Sequence, residues 1–179
     1  RITKAEDDPH ADGKAELKTW GDKAMNAYQI LRARMTPRKA WPATVTDFAT
    51  QWEDWKSSCG YLDFTDMIEL ALEHCDDPPG DAFVGFFDEV QDCSALELAL
   101  IRKWAQKMDY VILCGDDDQC LYSWRGSTAE AFLDPPADAQ HKHILAQSYR
   151  VPRSVWELSQ RWIKKLSRRE DKDYKPRDF

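Results

Sequence analysis

The sequence predicts an α/β chain in which a partial parallel sheet, flanked by helices, follows a small N-terminal helical subdomain. Three observations carry this. Two continuous apolar runs, AFVGFF at Ala82–Phe87 and YVILC at Tyr110–Cys114, have the character of strands covered on both faces. A capped helical segment lies between them, as a parallel crossover requires. Before them, residues 14–75 carry apolar residues at helical spacing.

Taken in order, residues 1–13 read as a flexible lead. Residues 14–35 form a helix on Leu17, Trp20, Ala24, Tyr28 and Leu31, punctuated by Pro37 and Pro42. A second helix runs from 44 to 57 on Val45, Phe48, Trp52 and Trp55, with Gly60 as its stop. A third covers 64–75 and ends before DDPPGD. After the first strand, Ser94 and Glu97 make a capping box for a helix whose Leu96, Leu100, Trp104 and Met108 face inward. Ser127 and Glu130 cap a short helix closed by Pro135-Pro136. A third strand is expected at His143–Ala146. Ser154 and Glu157 cap a last helix with Val155, Leu158, Trp162 and Leu166 inward, and the charged tail beyond Arg168 is expected to fray.

The 179 residues, 42% of them hydrophobic, suffice for one domain with an appendage. No apolar run approaches the ~20 residues of a membrane helix. There is no signal-peptide pattern and no initiator Met, so the chain is expected to begin inside a longer, cytoplasmic parent. Its five cysteines, without paired spacing, read as reduced thiols. His141 and His143 would share a strand face, as solvated or packed residues rather than metal ligands. A net charge of −7 alone speaks against nucleic acid. Binding needs only a local basic surface, however, and Arg150, Arg153, Arg161, Lys164, Lys165, Arg168 and Arg169 offer one. The plainer alternative is a solvated helix face.

Polar residues cluster where ligands collect in parallel sheets, after the strands. Asp88-Glu89-Val90-Gln91-Asp92 follows the first strand. Such a pair suits phosphoryl transfer, one carboxylate holding Mg²⁺ and the next orienting or deprotonating water. An acidic surface loop is the competing reading. Gly115-Asp-Asp-Asp-Gln119 follows the second strand, with Tyr122, Trp124 and Arg125 just beyond. Exposed aromatics beside Arg form a stacking platform for single-stranded bases; alternatively Trp124 plugs a core. Tyr149-Arg150 can stack on a nucleobase and reach a phosphate.

FFDEVQD, a helix, VILCGDDDQCLYSWRGS, then LAQSYR, in this order and spacing, resemble motifs II, III and IV of the UvrD/Rep/PcrA group of superfamily 1 helicases. YLDFTDMI at 61–68 resembles the LDFDDL element of that group. The resemblance covers about residues 61–160. It implies residues 1–60 as a helical insertion subdomain, 61–150 as the latter part of a first RecA-like motor domain, and 151–179 as a helix towards the second with a charged tail. It implies Asp88 as the Mg²⁺-associated acid and Glu89 as the catalytic base. Gln91 and Gln119 would couple the γ-phosphate of ATP to the DNA site. Tyr149 would stack on adenine and Arg150 would be the arginine finger. Tyr122, Trp124 and Phe64 would stack on single-stranded DNA, with Arg125 at the DNA–ATP junction.

Cys93, Cys120 and Ser148 replace the usual Thr, Ser and Asn of that group. The phosphate loop GxxxxGK[ST] does not occur in the chain. The implied function is a fragment of an ATP-dependent 3′–5′ DNA helicase, inactive alone, acting on single strands and duplex junctions with the remainder of the helicase chain. The other readings are a non-catalytic DNA- or protein-binding module and the helicase part of a helicase–nuclease. Without the strand that leads into the phosphate loop, Tyr110–Cys114 is expected to be an open edge prone to self-association.

Overall fold

The computed structural model describes residues 19–166 and 169–178. The expected flexible lead, Leu17 and Arg168 lie outside the described residues. Helix α1 (Trp20–Ala33) is opened by Thr19, whose hydroxyl accepts the Asp22 N–H while Asp22 caps in return. Helix α2 (Ala43–Cys59) ends at Gly60. Helix α3 (Phe64–His74) is opened by a reciprocal cap between Asp63 and Asp66. Tyr28, Val45 and Ala49 form the buried centre of this part, with Leu31, Trp41, Phe48 and Trp52 packed around it.

Strand β1 (Val84–Phe87) pairs in parallel with β2 (Tyr110–Leu113), Val84 opposite Tyr110 and Phe87 opposite Leu113. Helix α4 (Ala95–Ala105) makes the crossover, and the Ser94–Glu97 capping box forms as the sequence predicts. Leu96, Leu98 and Leu100 are buried, whereas Trp104 is half-buried and Met108 lies past the helix end. Helix α5 spans Ala129–Leu133; the side chain of Glu130 lies outside the described residues.

Four expectations need correction. First, β1 and β2 are not covered on both faces. Phe86 is 75% exposed, and Phe83, Tyr110 and Leu113 are also open; among the described residues no second layer covers them. Second, 143–146 is not a strand. The third strand, β3 (Gln147–Pro152), pairs in parallel with β4 (Lys175–Arg177) in a separate two-stranded sheet. Third, helix α6 (Arg153–Ile163) begins after Pro152, with no Ser154 cap, and Val155, Leu158, Trp162 and Leu166 face outward. Its inward contact is instead Trp156, edge-to-face with Tyr174 at 6.4 Å. Fourth, the described tail is docked rather than frayed: β4 pairs with β3, and the residues before it are held by ion pairs.

Candidate functional site

The carboxyl ends of β1 and β2 are laced together. The Cys114 N–H donates to the Phe87 carbonyl (2.8 Å) and the Val90 N–H to the Cys114 carbonyl (3.0 Å). Between them Glu89 takes a left-handed backbone, φ 53°. For a residue with a Cβ this conformation costs on the order of 1–3 kcal/mol and persists only where its surroundings impose it. Here it turns the chain sharply and leaves the Asp88 and Glu89 carboxylates in solvent. One Asp88 oxygen accepts the Glu89 N–H at 2.9 Å.

Gln91 joins this turn to the loop after β2. It is 1% exposed. Its amide nitrogen donates to Glu89 Oε2 (2.7 Å) and its amide oxygen accepts the Asp116 N–H (3.0 Å). Gly115 makes the bridge possible, since a Cβ there would sit 2.7 Å from Gln91 Oε1. On the far side Gln119 donates to Asp116 Oδ2 at 2.6 Å. Glu89, Gln91, Asp116 and Gln119 therefore form one hydrogen-bonded series. Burial, then Glu97 and Asp92, push the Cys93 thiol up to about 11, so it stays protonated at neutral pH.

The acidic triplet is not left open. Arg169 forks onto both oxygens of Asp118 at 2.9 Å, Lys172 bonds Asp116 (2.6 Å) and also reaches Asp117, and the Glu170 N–H donates to Asp117 (2.7 Å). Burial would raise the Asp116 pKa, but hydrogen bonds from Lys172 and Gln119 outweigh it and hold the carboxyl below its usual range. For Lys172 burial disfavours the charge, and Asp116 and Asp117 more than restore it. The lowered acid contributes above its unfolded value and is lost as pH falls through the folded one. The raised Lys contributes below its unfolded value and is lost only as pH rises through the folded one. The tail is therefore expected to stay docked at neutral pH and to release only in acid, below the ordinary carboxylate range; the Glu170 amide shift followed by NMR across an acid titration checks this.

A second assembly lies where α1 and α3 meet the start of α4 and the loop after β2. Phe64, Trp124 and Arg125 line one groove of about 260 Å³, with Asn26, Gln29 and Ile30 of α1 as its wall. Phe64 is 85% exposed and Trp124 56%. The Tyr122 and Trp124 rings meet edge to face, centroids 6.2 Å apart. Gly126, at φ 97°, closes the turn beneath Trp124 and packs so closely on α1 that a Cβ would meet the Ala33 Cβ at 2.7 Å. Trp124 therefore does not plug a core.

A family model described as the UvrD/REP helicase N-terminal domain matches residues 4–140. The chain belongs to that family. Among curated relatives, it is 31% identical over 88 residues to a probable DNA helicase II homolog of Mycoplasma capricolum, an alignment covering 48% of this chain and 12% of the relative. It is 27% identical over 123 residues to the ATP-dependent DNA helicase PcrA of Bacillus subtilis, covering 63% of this chain and 16% of the relative. The PcrA of Staphylococcus aureus is 30% identical over 87 residues, 48% and 12% respectively. The chain thus spans about an eighth to a sixth of the length of these relatives.

Against this UvrD/REP background, the residues expected to act together fall into three places. Asp88, Glu89, Gln91 and Gln119 are gathered at the β1–β2 ends. Phe64, Trp124 and Arg125 share the groove. Tyr149, 82% exposed, and Arg150 stand on the separate β3–β4 sheet. Sequence reasoning did not single out Arg32, Lys56 or Lys172, which the structure places in ion pairs, Arg32 and Lys56 buried and Lys172 half-buried. The one available signal was Asp63, Asp66 and Glu69 at three-residue spacing, a like-charged face that calls for a cation.

No described helix is long and apolar enough to cross a membrane. Among the described residues no three acidic, His or Cys side chains cluster to hold a metal by themselves. A lone solvent-facing Asp88 fits Mg²⁺, which keeps several waters and takes one or two carboxylates plus substrate phosphates.

Proposed function

We propose that this chain is the part of an ATP-dependent 3′–5′ DNA helicase or translocase that activates water for ATP hydrolysis and presents single-stranded bases to an aromatic track. The observation that carries the reading is the Gln91 bridge. It connects the candidate catalytic base Glu89 to the loop whose continuation bears Trp124. Glu89 orients the attacking water and takes its proton. Asp88 would hold Mg²⁺ through water, and the ion when bound neutralises charge on the phosphate oxygens. Gln119 hydrogen-bonds the γ-phosphate or the water. Tyr149 stacks on adenine and Arg150 stabilises charge on the transferring phosphoryl. Their location on a second sheet suits a nucleotide site that closes between two bodies.

The phosphate loop is not in this sequence, so the 179-residue chain is expected to show no measurable ATP turnover, because Glu89 and Arg150 act only on a positioned nucleotide. A steady-state phosphate-release assay with and without oligothymidylate tests it. Robust DNA-stimulated turnover, lost in Glu89→Gln, would overturn the expectation.

Among the described residues no strand pairs with the outer edge of β2, and this edge with the exposed Tyr110, Ile112 and Leu113 favours concentration-dependent self-association of the chain. Sedimentation velocity over a dilution series should show it, and Ile112→Lys should reduce it. A strictly monomeric wild-type chain at high concentration would count against it.

A further inference from the structure

We propose that Arg32 and Lys56 are positioning residues that fix Phe64 relative to Trp124, so that α1 sets the spacing of the two stacking surfaces for single-stranded nucleic acid. The inference rests on reading Phe64 and Trp124 as base-stacking residues. Its own content is a mechanical link that runs through a buried ionic hub.

Phe64 is the first residue of α3, and the turn that carries it is clamped from behind. Arg32 Nη1 lies 3.2 Å from both Asp63 oxygens, Nη2 2.6 Å from Asp66 and 2.5 Å from Glu69, and Nε 3.0 Å from Glu69. Lys56 of α2 lies 2.7 Å from Asp63 and also bonds Asp66. The same two acids cap α3 reciprocally, Asp66 N–H to Asp63 at 2.8 Å and Asp63 N–H to Asp66 at 2.7 Å. The turn on either side of Phe64 is therefore held through the backbone N–H groups and the carboxylates of Asp63 and Asp66, while the Phe64 ring is free of the core.

Both cations are buried, and both lean on the ring of Tyr28, Arg32 at 4.9 Å and Lys56 at 5.9 Å from its centroid. Burial favours the neutral form of Arg32, but the hydrogen bond to Glu69 and the surrounding negative charge more than reverse this and keep it charged. A guanidinium fork is the group that can engage three carboxylates in fixed directions at once; an ammonium in its place is a point charge.

The same helix holds the other surface. One residue further on, Ala33 receives the close approach of Gly126, and the Arg34 guanidinium donates to the Ser123 carbonyl at 3.4 Å. These contacts bracket Trp124 in sequence. Three consecutive residues at the end of α1, Arg32, Ala33 and the C-cap Arg34, thus grip the turn under Phe64 and the turn under Trp124. A stiff helix between two aromatic platforms fixes their separation, and so the number of bases between stacked positions.

The test uses the 179-residue chain and short oligothymidylates carrying one 2-aminopurine at successive positions, whose fluorescence reports stacking. The wild type is expected to perturb two positions, one lost in Phe64→Ala and the other in Trp124→Ala. Arg32→Lys keeps the charge and loses the fork. It should erase the Phe64-dependent position, spare the Trp124-dependent one, and weaken binding roughly tenfold, as the loss of one stacked base does. In a Phe64→Ala background, Arg32→Lys should add less than about twofold, because the two act as one unit. Should Arg32→Lys not fold by thermal melting, Lys56→Arg is read in the same way. Parallel fading of both positions, or full additivity in the double variant, overturns the positioning role. An unchanged pattern in Arg32→Lys does the same. If Phe64→Ala itself changes nothing, the stacking reading fails first and the inference falls with it.

Discussion

Glu89→Gln in the full-length helicase is expected to lower kcat for ATP by ~10²–10⁴-fold, the usual cost of removing a general base. Binding of nucleotide and of single-stranded DNA should be nearly unchanged. The geometry gives the reason for expecting so clean a separation. Gln91 holds Glu89 through a single oxygen, Oε2, which a Gln amide oxygen can replace as acceptor. The bridge to Asp116 therefore survives the substitution, and with it the loop that leads to Trp124. What is lost is the carboxylate charge at a solvent-facing position. Pre-steady-state turnover beside equilibrium binding of a non-hydrolysable nucleotide checks the expectation. A fall in nucleotide or DNA affinity as large as the fall in kcat would mean that Glu89 organises the site rather than acting on water.

The parts of the fold that were legible in the sequence are those set by neighbouring residues. The Ser94–Glu97 box starts α4, Gly60 ends α2, and the two apolar runs become paired parallel strands. The acids after β1 and β2 converge because parallel strands with a short crossover bring their carboxyl ends side by side. What the sequence hid is set at long range. QSYRVP has neither an apolar run nor alternation, and it becomes β3 because the tail returns to pair with it, Lys175 N–H donating to the Ala146 carbonyl at 2.9 Å. Arg32 and Lys56 look like ordinary polar positions on amphipathic helices until α3 brings three carboxylates to them. The apolar stripe of α6 was read correctly as a stripe, but periodicity gives a face and not its partner; among the described residues that face is turned to solvent. The left-handed Glu89 has no sequence signal either, since Glu is a poor candidate for that conformation.

Trp124→Ala is expected to weaken single-strand binding by about 1–3 kcal/mol, roughly 5- to 150-fold, while DNA-free ATPase of the intact helicase stays near normal. The competing outcome is structural. A fully packed Trp replaced by Ala costs ~3–5 kcal/mol of stability through the cavity it leaves. The environment of Trp124 argues against that. More than half of the side chain is in solvent, its ring neighbour is the exposed Tyr122, and the turn beneath it is made by backbone bonds that do not involve the indole. Arg125 N–H donates to the Tyr122 carbonyl at 2.8 Å and Gly126 N–H to the Ser123 carbonyl at 3.1 Å, and both remain when the ring is gone. Leu98→Ala is the contrasting control: at 1% exposure its truncation should cost ~2–5 kcal/mol, lower the melting temperature, and depress both activities together. Melting curves measured beside oligonucleotide anisotropy and ATPase separate the two patterns. A melting temperature close to wild type with selectively lost binding is what a stacking surface gives, and a fall comparable to that of Leu98→Ala, with both activities declining in parallel, would return Trp124 to the structural residues.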